Sequence, residues 1–207
     1  MGGRITIPNL HTALPVRCQK RKLLKFNHFM FFDNSEAKIK KRIKKANALF
    51  DNFKREESVQ EFLKLQQEFP KNTDIMFAFA VVQNSMRQEA LAIDTLKNIL
   101  KINESHTDTL LILPAVIYEY AVRLSETGEK ESARNYLLDF IALENENKAD
   151  LANGYKELAV IEESMGNIDD AKKFIETAIF INHKDKDAYS GTYSDYFKEI
   201  LNRLSCS

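Results

Sequence analysis

Residues 158–178 read LAVIEESMGNIDDAKKFIETA and contain two apolar patterns separated by a turn signal. Ala159 lies in the first pattern, and Ala171 and Ile175 lie in the second. Apolar residues spaced three and four apart share one face of a helix. Gly166, between the patterns, can adopt the left-handed conformation that ends a helix. The stretch therefore predicts two amphipathic helices joined by a tight turn.

The same arrangement recurs three times upstream of this stretch. Small residues lie 34, 41 and 38 residues apart along the chain, at Ala46, Ala80, Ala121 and Ala159. Each is followed at fixed distances by a second small residue (Ser58, Ala92, Ala133, Ala171), a large one (Phe62, Leu96, Leu137, Ile175) and another apolar one (Leu65, Ile99, Phe140, Ala178). A small residue at a helix crossing lets two backbones approach, and a large neighbour fills the groove beside it. A fixed period in this range is typical of stacked repeats.

These residues resemble the tetratricopeptide repeat (TPR), which places a large and a small residue in helix A, Gly at the turn, and small residues in helix B. The stretches Gly166–Ala171 and Gly128–Ala133 match this pattern, whereas Arg87 stands where the second copy should have Gly. The resemblance covers roughly residues 36–185. It implies an all-α fold of antiparallel helical hairpins, stacked as a right-handed TPR-like solenoid with a C-terminal capping helix.

The copies predict a division of the chain into a leader (1–32) and a solenoid (33–204). The expected parts of the solenoid are repeats at about 39–72, 73–105, 107–147 and 152–185 and a capping helix at 187–204. The insertion Ser105–Leu113 predicts a longer first helix in the third repeat, capped by Thr107, Asp108 or Thr109. A terminal amphipathic helix is what a solenoid needs to cover its last apolar face.

The charge is distributed unevenly along the chain. Residues 1–45 contain twelve Lys and Arg against Asp33 and Glu36, a balance of +10, and the remainder carries −10. Residues 1–32 contain no acidic residue. This leader is interpreted as a disordered arm, as a mitochondrial-type targeting peptide, or as an extension upstream of a true start at Met30.

Composition and motifs bound the function. Cys18 and Cys206 lie near opposite ends and indicate a reducing compartment, so we expect a cytoplasmic protein, or a mitochondrial one if 1–32 is a transit peptide. No apolar run approaches the roughly 20 residues of a membrane span. The sequence has no phosphate loop, nucleophile elbow or metal-ligand spacing. It therefore predicts no enzyme activity, no catalytic residue, no metal and no cofactor.

The resemblance implies where a partner binds, because the first helices of successive TPR units line a concave surface. The expected groove residues are Ile43, Asn47, Phe50, Phe77, Val81, Asn84, Tyr118, Val122, Asn153, Lys156 and Val160. The positions of the family's carboxylate clamp hold Ile43, Asn47, Ala78, Ala115 and Glu119. Only Asn47 fits that clamp, and Glu119 would repel a carboxylate.

The resemblance and the groove together predict a protein-interaction adaptor or scaffold that binds a peptide or a partner helix. The alternative is an RNA-associated platform that binds nucleic acid through the basic leader and the first helix. Lys and Arg cluster on that helix around Ile39 and Ile43, and such cations contact phosphates. The sequence leaves the oligomeric state and the identity of the partner open.

Overall fold

The structure, a computed structural model, describes residues 36–143, 147–184 and 192–205, and its regular elements in these ranges are helices. They are α1 (36–51), α2 (Arg55–Glu68), α3 (Thr73–Ser85), α4 (Glu89–Ile102), α5 (Thr107–Glu126), α6 (Lys130–Ala142), α7 (Lys148–Ser164), α8 (Ile168–Lys184) and α9 (Thr192–Ser205). The predicted leader lies outside the described residues. The chain divides into two compact units after Leu65, within α2.

The first unit contains a hairpin made by α1 and the first turns of α2. Ala46 and Ser58 are fully buried where the two helices cross. The Ser58 hydroxyl donates a hydrogen bond to the carbonyl oxygen of Ala46 at 2.8 Å. Arg42 Nε donates to Glu61 Oε1 at 3.0 Å on the flank of the crossing. A serine is accommodated at this crossing because the facing backbone carbonyl satisfies its hydroxyl.

The second unit is a TPR-like solenoid of three hairpins, α3–α4, α5–α6 and α7–α8, in which consecutive helices pack against each other. Among the residues that the structure describes, its core contains three apolar clusters, and neighbouring clusters share partly buried residues at their borders. One is centred on Leu96 and Ile117, the next on Leu137 and Leu158, and the last on Ile175. The all-α hairpin architecture predicted from the repeats is confirmed.

The register predicted from the fourfold pattern is also confirmed. All sixteen of its residues are at most 2% exposed. The large members fill the space between helices, and the small members lie where helices approach. Interiors packed in this way tolerate little change in side-chain volume.

The same turn ends the first helix of every hairpin. Seven residues after each small crossing residue the backbone has a positive φ, at Phe53 (61°), Arg87 (62°), Gly128 (91°) and Gly166 (84°). The next amide donates to the carbonyl five residues earlier, for instance from Asn167 to Glu162 at 2.9 Å. This bond and the left-handed residue define the Schellman motif. The sequence predicted the turn at Gly166, whereas Phe53 gave no signal of a left-handed residue.

The first helix of the third hairpin is longer than that of the others, as the insertion predicted. Helix α5 has 20 residues and continues through Pro114, whereas α3 has 13. Its capping residue differs from the predicted Thr107, Asp108 or Thr109. His106 is the N-cap, and its side chain accepts a hydrogen bond from the Thr109 amide.

The end of the second unit is covered by α9. Its apolar face contributes Phe197, Ile200 and Leu204 to the cluster that contains Ala171 and Ile175 of α8. All three side chains are at most 2% exposed. This packing confirms the predicted capping helix, although α9 begins at Thr192.

Enlarging a crossing residue should destabilise the fold. We expect Ala121→Leu to lower the free energy of unfolding by about 1–3 kcal/mol, because the fully buried site has no room for the added atoms. Ala142→Leu, at an exposed position of α6, is the matched control and should change it little. Chemical denaturation measures both, and equal stability of the two variants would contradict the assigned register.

The left-handed turns make a second prediction. Gly128→Ala should cost about 1 kcal/mol, although no atom lies within 4 Å of the added Cβ, so the cost comes from the backbone alone. Arg87→Gly should stabilise the protein by up to about 1 kcal/mol, because glycine adopts positive φ without strain. Urea titration of both variants tests the turn, and opposite signs from those stated would exclude the Schellman geometry.

Candidate functional site

The structure places the eleven predicted groove residues on the first helices of the hairpins. In the second unit they lie on α3 (Phe77, Val81, Asn84), α5 (Tyr118, Val122) and α7 (Asn153, Lys156, Val160), and in the first unit on α1 (Ile43, Asn47, Phe50). Ten are half-buried, and Val81 is 37% exposed. None of them is fully buried, so each has side-chain surface that a partner can reach. Their role in binding stays a prediction.

The two aromatic residues of the predicted groove in the second unit have well-defined neighbours. The ring of Phe77 lies 5.6 Å from the ring of His106, the residue that caps α5. The ring of Tyr118 lies 5.5 Å from that of Phe140. Both residues pack against the core cluster on one side. They are therefore held rigidly, which lowers the entropic cost of using them as binding contacts.

Some of the polar residues on α7 are already paired. The ammonium group of Lys156 forms an ion pair with Glu157, and Tyr118 Oη donates to the same carboxylate at 3.5 Å. Glu163 accepts two hydrogen bonds from Arg203 of α9, at 2.8 and 2.6 Å. A ligand of this surface would therefore meet apolar and amide groups more readily than these charges.

A groove of about 730 Å³ lies beside the first turns of α5 and α7, and we call it the α5–α7 groove. Leu110, Leu111, Pro114 and Tyr118 of α5 form one side, and Phe140 and Leu143 at the end of α6 lie beside them. Asn147, Asp150 and Asn153 contribute from the start of α7. Its volume is in the range of ligand sites, about 300–1,000 Å³.

The predicted residues and the observed groove overlap only in part. Tyr118 and Asn153 line the α5–α7 groove, whereas Phe77, Val122 and Val160 do not. Sequence reasoning gave no binding role to Leu110 and Leu111, which come from the insertion that lengthens α5. Their signal was present, since an apolar run at an added helical turn exceeds what the hairpin core needs.

Ion pairs between successive hairpins hold these surfaces in position. Glu89 at the start of α4 pairs with Arg123 of α5, and Arg134 of α6 pairs with Glu162 of α7. Both carboxylates are buried. Since an uncompensated buried charge is costly, each pair fixes the spacing of two neighbouring hairpins.

Arg123 also changes the titration of its partner. The hydrogen bond from its guanidinium group holds the pKa of the Glu89 carboxyl below its ordinary value, and burial opposes this effect only partly. The Arg123 guanidinium also lies 5.4 Å from the centre of the Tyr120 ring, a cation–π geometry. Glu89 is therefore held in its charged form by Arg123, and the Tyr120 ring helps to orient the Arg123 side chain.

Metal sites and membrane-crossing helices are absent from the part of the chain that the structure describes. Across residues 36–143, 147–184 and 192–205, no group of three or more His, Cys, Asp and Glu is placed so as to hold a metal ion. Of the helices that the structure describes, none has both the length and the apolar character of a membrane-crossing segment.

The fold defines the class of protein: the helical hairpins, their small-residue crossings and their turns are TPR-like. Among solved structures, the chain resembles the apo form of RapI with a TM-score of 0.53 at 13% identity, over 80% of this chain and 47% of that one. A similarity at this identity concerns the fold. No protein-family model matches the chain, and no curated protein matches it.

Two further solved structures are similar at lower TM-scores. A MamA protein gives 0.46 at 18% identity, over 81% of this chain and 86% of that chain. A putative kinesin light chain with nearly identical TPR-like repeats from Podosopora anserina also gives 0.46, at 16% identity, over 82% and 86% of the two chains.

The Glu89–Arg123 pair predicts a specific pH dependence. Because the folded pKa of Glu89 lies below the unfolded value of about 4.3, Glu89 stabilises the fold above that value. The contribution is lost as the pH falls through the folded pKa. Glu89→Gln should cost about 1–3 kcal/mol at neutral pH and should flatten the loss of stability on acidification.

Urea denaturation between neutral pH and the folded pKa measures this effect. Glu131→Gln, at an exposed site of α6, is the matched control and should leave the pH profile unchanged. A Glu89→Gln profile parallel to that of the wild type would show that the pair contributes no pH-dependent stability.

Proposed function

We propose that this protein is an interaction adaptor that holds a peptide or a partner helix on the surface formed by the first helices α3, α5 and α7. The main support is the exposure of the predicted residues on these helices. They are fixed against the core on one side and accessible on the other. Rigid, half-buried apolar side chains are the usual anchors of protein recognition.

The chemistry of this surface favours apolar anchoring with hydrogen bonds from amides. Phe77, Val81 and Tyr118 supply accessible apolar area, and Asn84 and Asn153 can both donate and accept hydrogen bonds. This surface lacks the cationic residues of the family's carboxylate clamp. Ala115 and the acidic Glu119 stand at its cationic positions, and both are exposed.

The proposal is tested on a partner first identified by affinity purification and mass spectrometry, then purified and titrated. Replacing Phe77 and Tyr118 by Ala should weaken its binding by about 2 kcal/mol or more, because aromatic anchors dominate such interfaces. Val81→Lys should also weaken binding, and it leaves the aromatic packing of the core intact. Calorimetry measures the affinities, and circular dichroism checks folding.

A matched control uses two exposed residues away from these helices. Leu91 of α4 and Tyr196 of α9 are 54% and 48% exposed, and replacing both by Ala should leave the affinity unchanged. An affinity that survives the changes at Phe77, Tyr118 and Val81 would exclude this surface.

The alternative function places nucleic acid on α1 of the first unit. Lys38, Lys41, Lys44 and Lys45 are exposed on this helix. Lys40 and Arg42 are already paired with Glu36 and Glu61, at 2.7 and 3.0 Å. Purification with and without nuclease separates the two functions. Loss of all partners after nuclease treatment would favour the nucleic-acid function and contradict the adaptor.

A further inference from the structure

The α5–α7 groove has one strongly apolar and exposed edge. Leu110 is 49% exposed and Leu111 is 83% exposed. Both belong to the added turns of α5, which His106 caps through its contacts with Thr109. A single exposed leucine needs no explanation. Two adjacent leucines on a capped helical extension, beside a groove of about 730 Å³, form a preformed apolar contact surface.

The α5–α7 groove also has a group that can form hydrogen bonds. Asn153 of α7 lines the groove, and its side-chain amide can both donate and accept hydrogen bonds. A bound segment with polar backbone or side-chain groups can therefore pair with it.

The charged groups that line this groove are both acidic. Glu119 of α5 and Asp150 of α7 are exposed there, and among the residues that the structure describes neither Lys nor Arg lines the groove. The sequence from 66 to 207 contains 24 Asp and Glu against 15 Lys and Arg, a net charge of −9. The local and the wider field therefore both favour a cationic ligand.

The start of α7 does not offset this preference. A helix N-terminus attracts anions through its unpaired amides. Here the Asn147 side chain accepts hydrogen bonds from the amides of Ala149 and Asp150, at 3.0 and 3.4 Å. Asp150 also places a carboxylate in the first turn. The positive end of this helix is thus already compensated.

We propose that the α5–α7 groove binds a segment of a partner protein in which bulky apolar side chains lie next to Lys or Arg. The apolar side chains occupy the space between Leu111, Tyr118 and Phe140. The cations lie over Glu119 and Asp150. This inference rests on the adaptor function and specifies the chemical class of its partner.

The probe is a short fluorescein-labelled peptide that alternates Leu and Phe with Lys and Arg, titrated against the full chain by fluorescence anisotropy. One matched peptide carries Glu for every Lys and Arg, and another carries Ser for every Leu and Phe. The probe should bind, and each matched peptide should bind at least about tenfold more weakly, since both contributions are needed. Equal binding of the probe and either matched peptide overturns the proposal.

Variants then locate the binding site on the chain. Leu111→Ser should weaken the probe about tenfold, whereas Leu91→Ser, at an exposed leucine of α4, should have no effect. Glu119→Gln with Asp150→Asn should weaken it about three- to tenfold. Glu131→Gln with Glu176→Gln, at exposed sites on second helices, should not. If both double variants lose the same affinity for the probe, the attraction is spread over the acidic surface and the proposal is overturned.

Two other possible occupants of the groove, a segment of the chain itself and a second copy of the chain, give different results. Residues 20–32 of the chain itself are rich in Phe, Lys and Arg. If replacing Phe26, Phe29, Phe31 and Phe32 by Ser raises the affinity of the full chain for the probe, this segment occupies the groove and the partner assignment is wrong. Self-association in light scattering that Leu111→Ser abolishes would instead identify a second copy of the chain.

The purified partner separates this inference from the adaptor function. A partner affinity that falls with Val81→Lys but is unchanged by Leu111→Ser contradicts the groove assignment and leaves the adaptor in place. An affinity unchanged by both substitutions contradicts both. Loss of affinity with Leu111→Ser and with the Glu119/Asp150 pair supports both.

Discussion

The close approach of two helices at a small residue is the contact on which the rest of this structure depends. At Ala46, Ala80, Ala121 and Ala159 the side chain is at most 1% exposed, and a second small residue faces the same hairpin twelve positions later. Close packing at these points fixes which residues of each helix face inward. The Schellman turns lie seven residues after these small residues, because the chain must reverse at the same point in each hairpin. The burial of the large residues and the exposure of the first helices are consequences of this register.

The functional surface is a second consequence of the same constraint. Once α3, α5 and α7 are held by their hairpins, ion pairs with a buried carboxylate, such as Arg134–Glu162, connect neighbouring hairpins of the second unit. The insertion before the third hairpin enters the core only in part: Thr109 and Leu113 are buried, and Leu113 belongs to a core cluster. It lengthens α5 and leaves Leu110 and Leu111 exposed beside α7. An apolar groove with acidic groups arises where the repeat is least regular.

The sequence predicted the features that depend on local spacing. Helix pairs, crossing residues and the turn at Gly166 follow from periodicity and from one glycine, so they needed no knowledge of long-range contacts. Phe53 and His106 were missed because neither residue type signals its role: bulky residues rarely adopt positive φ, and imidazole is an unusual helix cap. The α5–α7 groove was missed because its shape depends on where the end of α6 lies relative to α5. That relation is set by packing between elements, so the apolar run at Leu110 and Leu111 was the part of the groove that left a local pattern.

Amide hydrogen exchange at the four turns tests the shared register most directly. The amides of Lys54, Gln88, Glu129 and Asn167 donate to carbonyls five residues earlier, at 2.8–2.9 Å. If one packing rule governs every hairpin, all four amides should exchange slowly, including those that follow Phe53 and Arg87, where the sequence lacks glycine. Slow exchange at Glu129 and Asn167 with free exchange at Lys54 and Gln88 would contradict the account, because the first two hairpins would then not share the turn or the register.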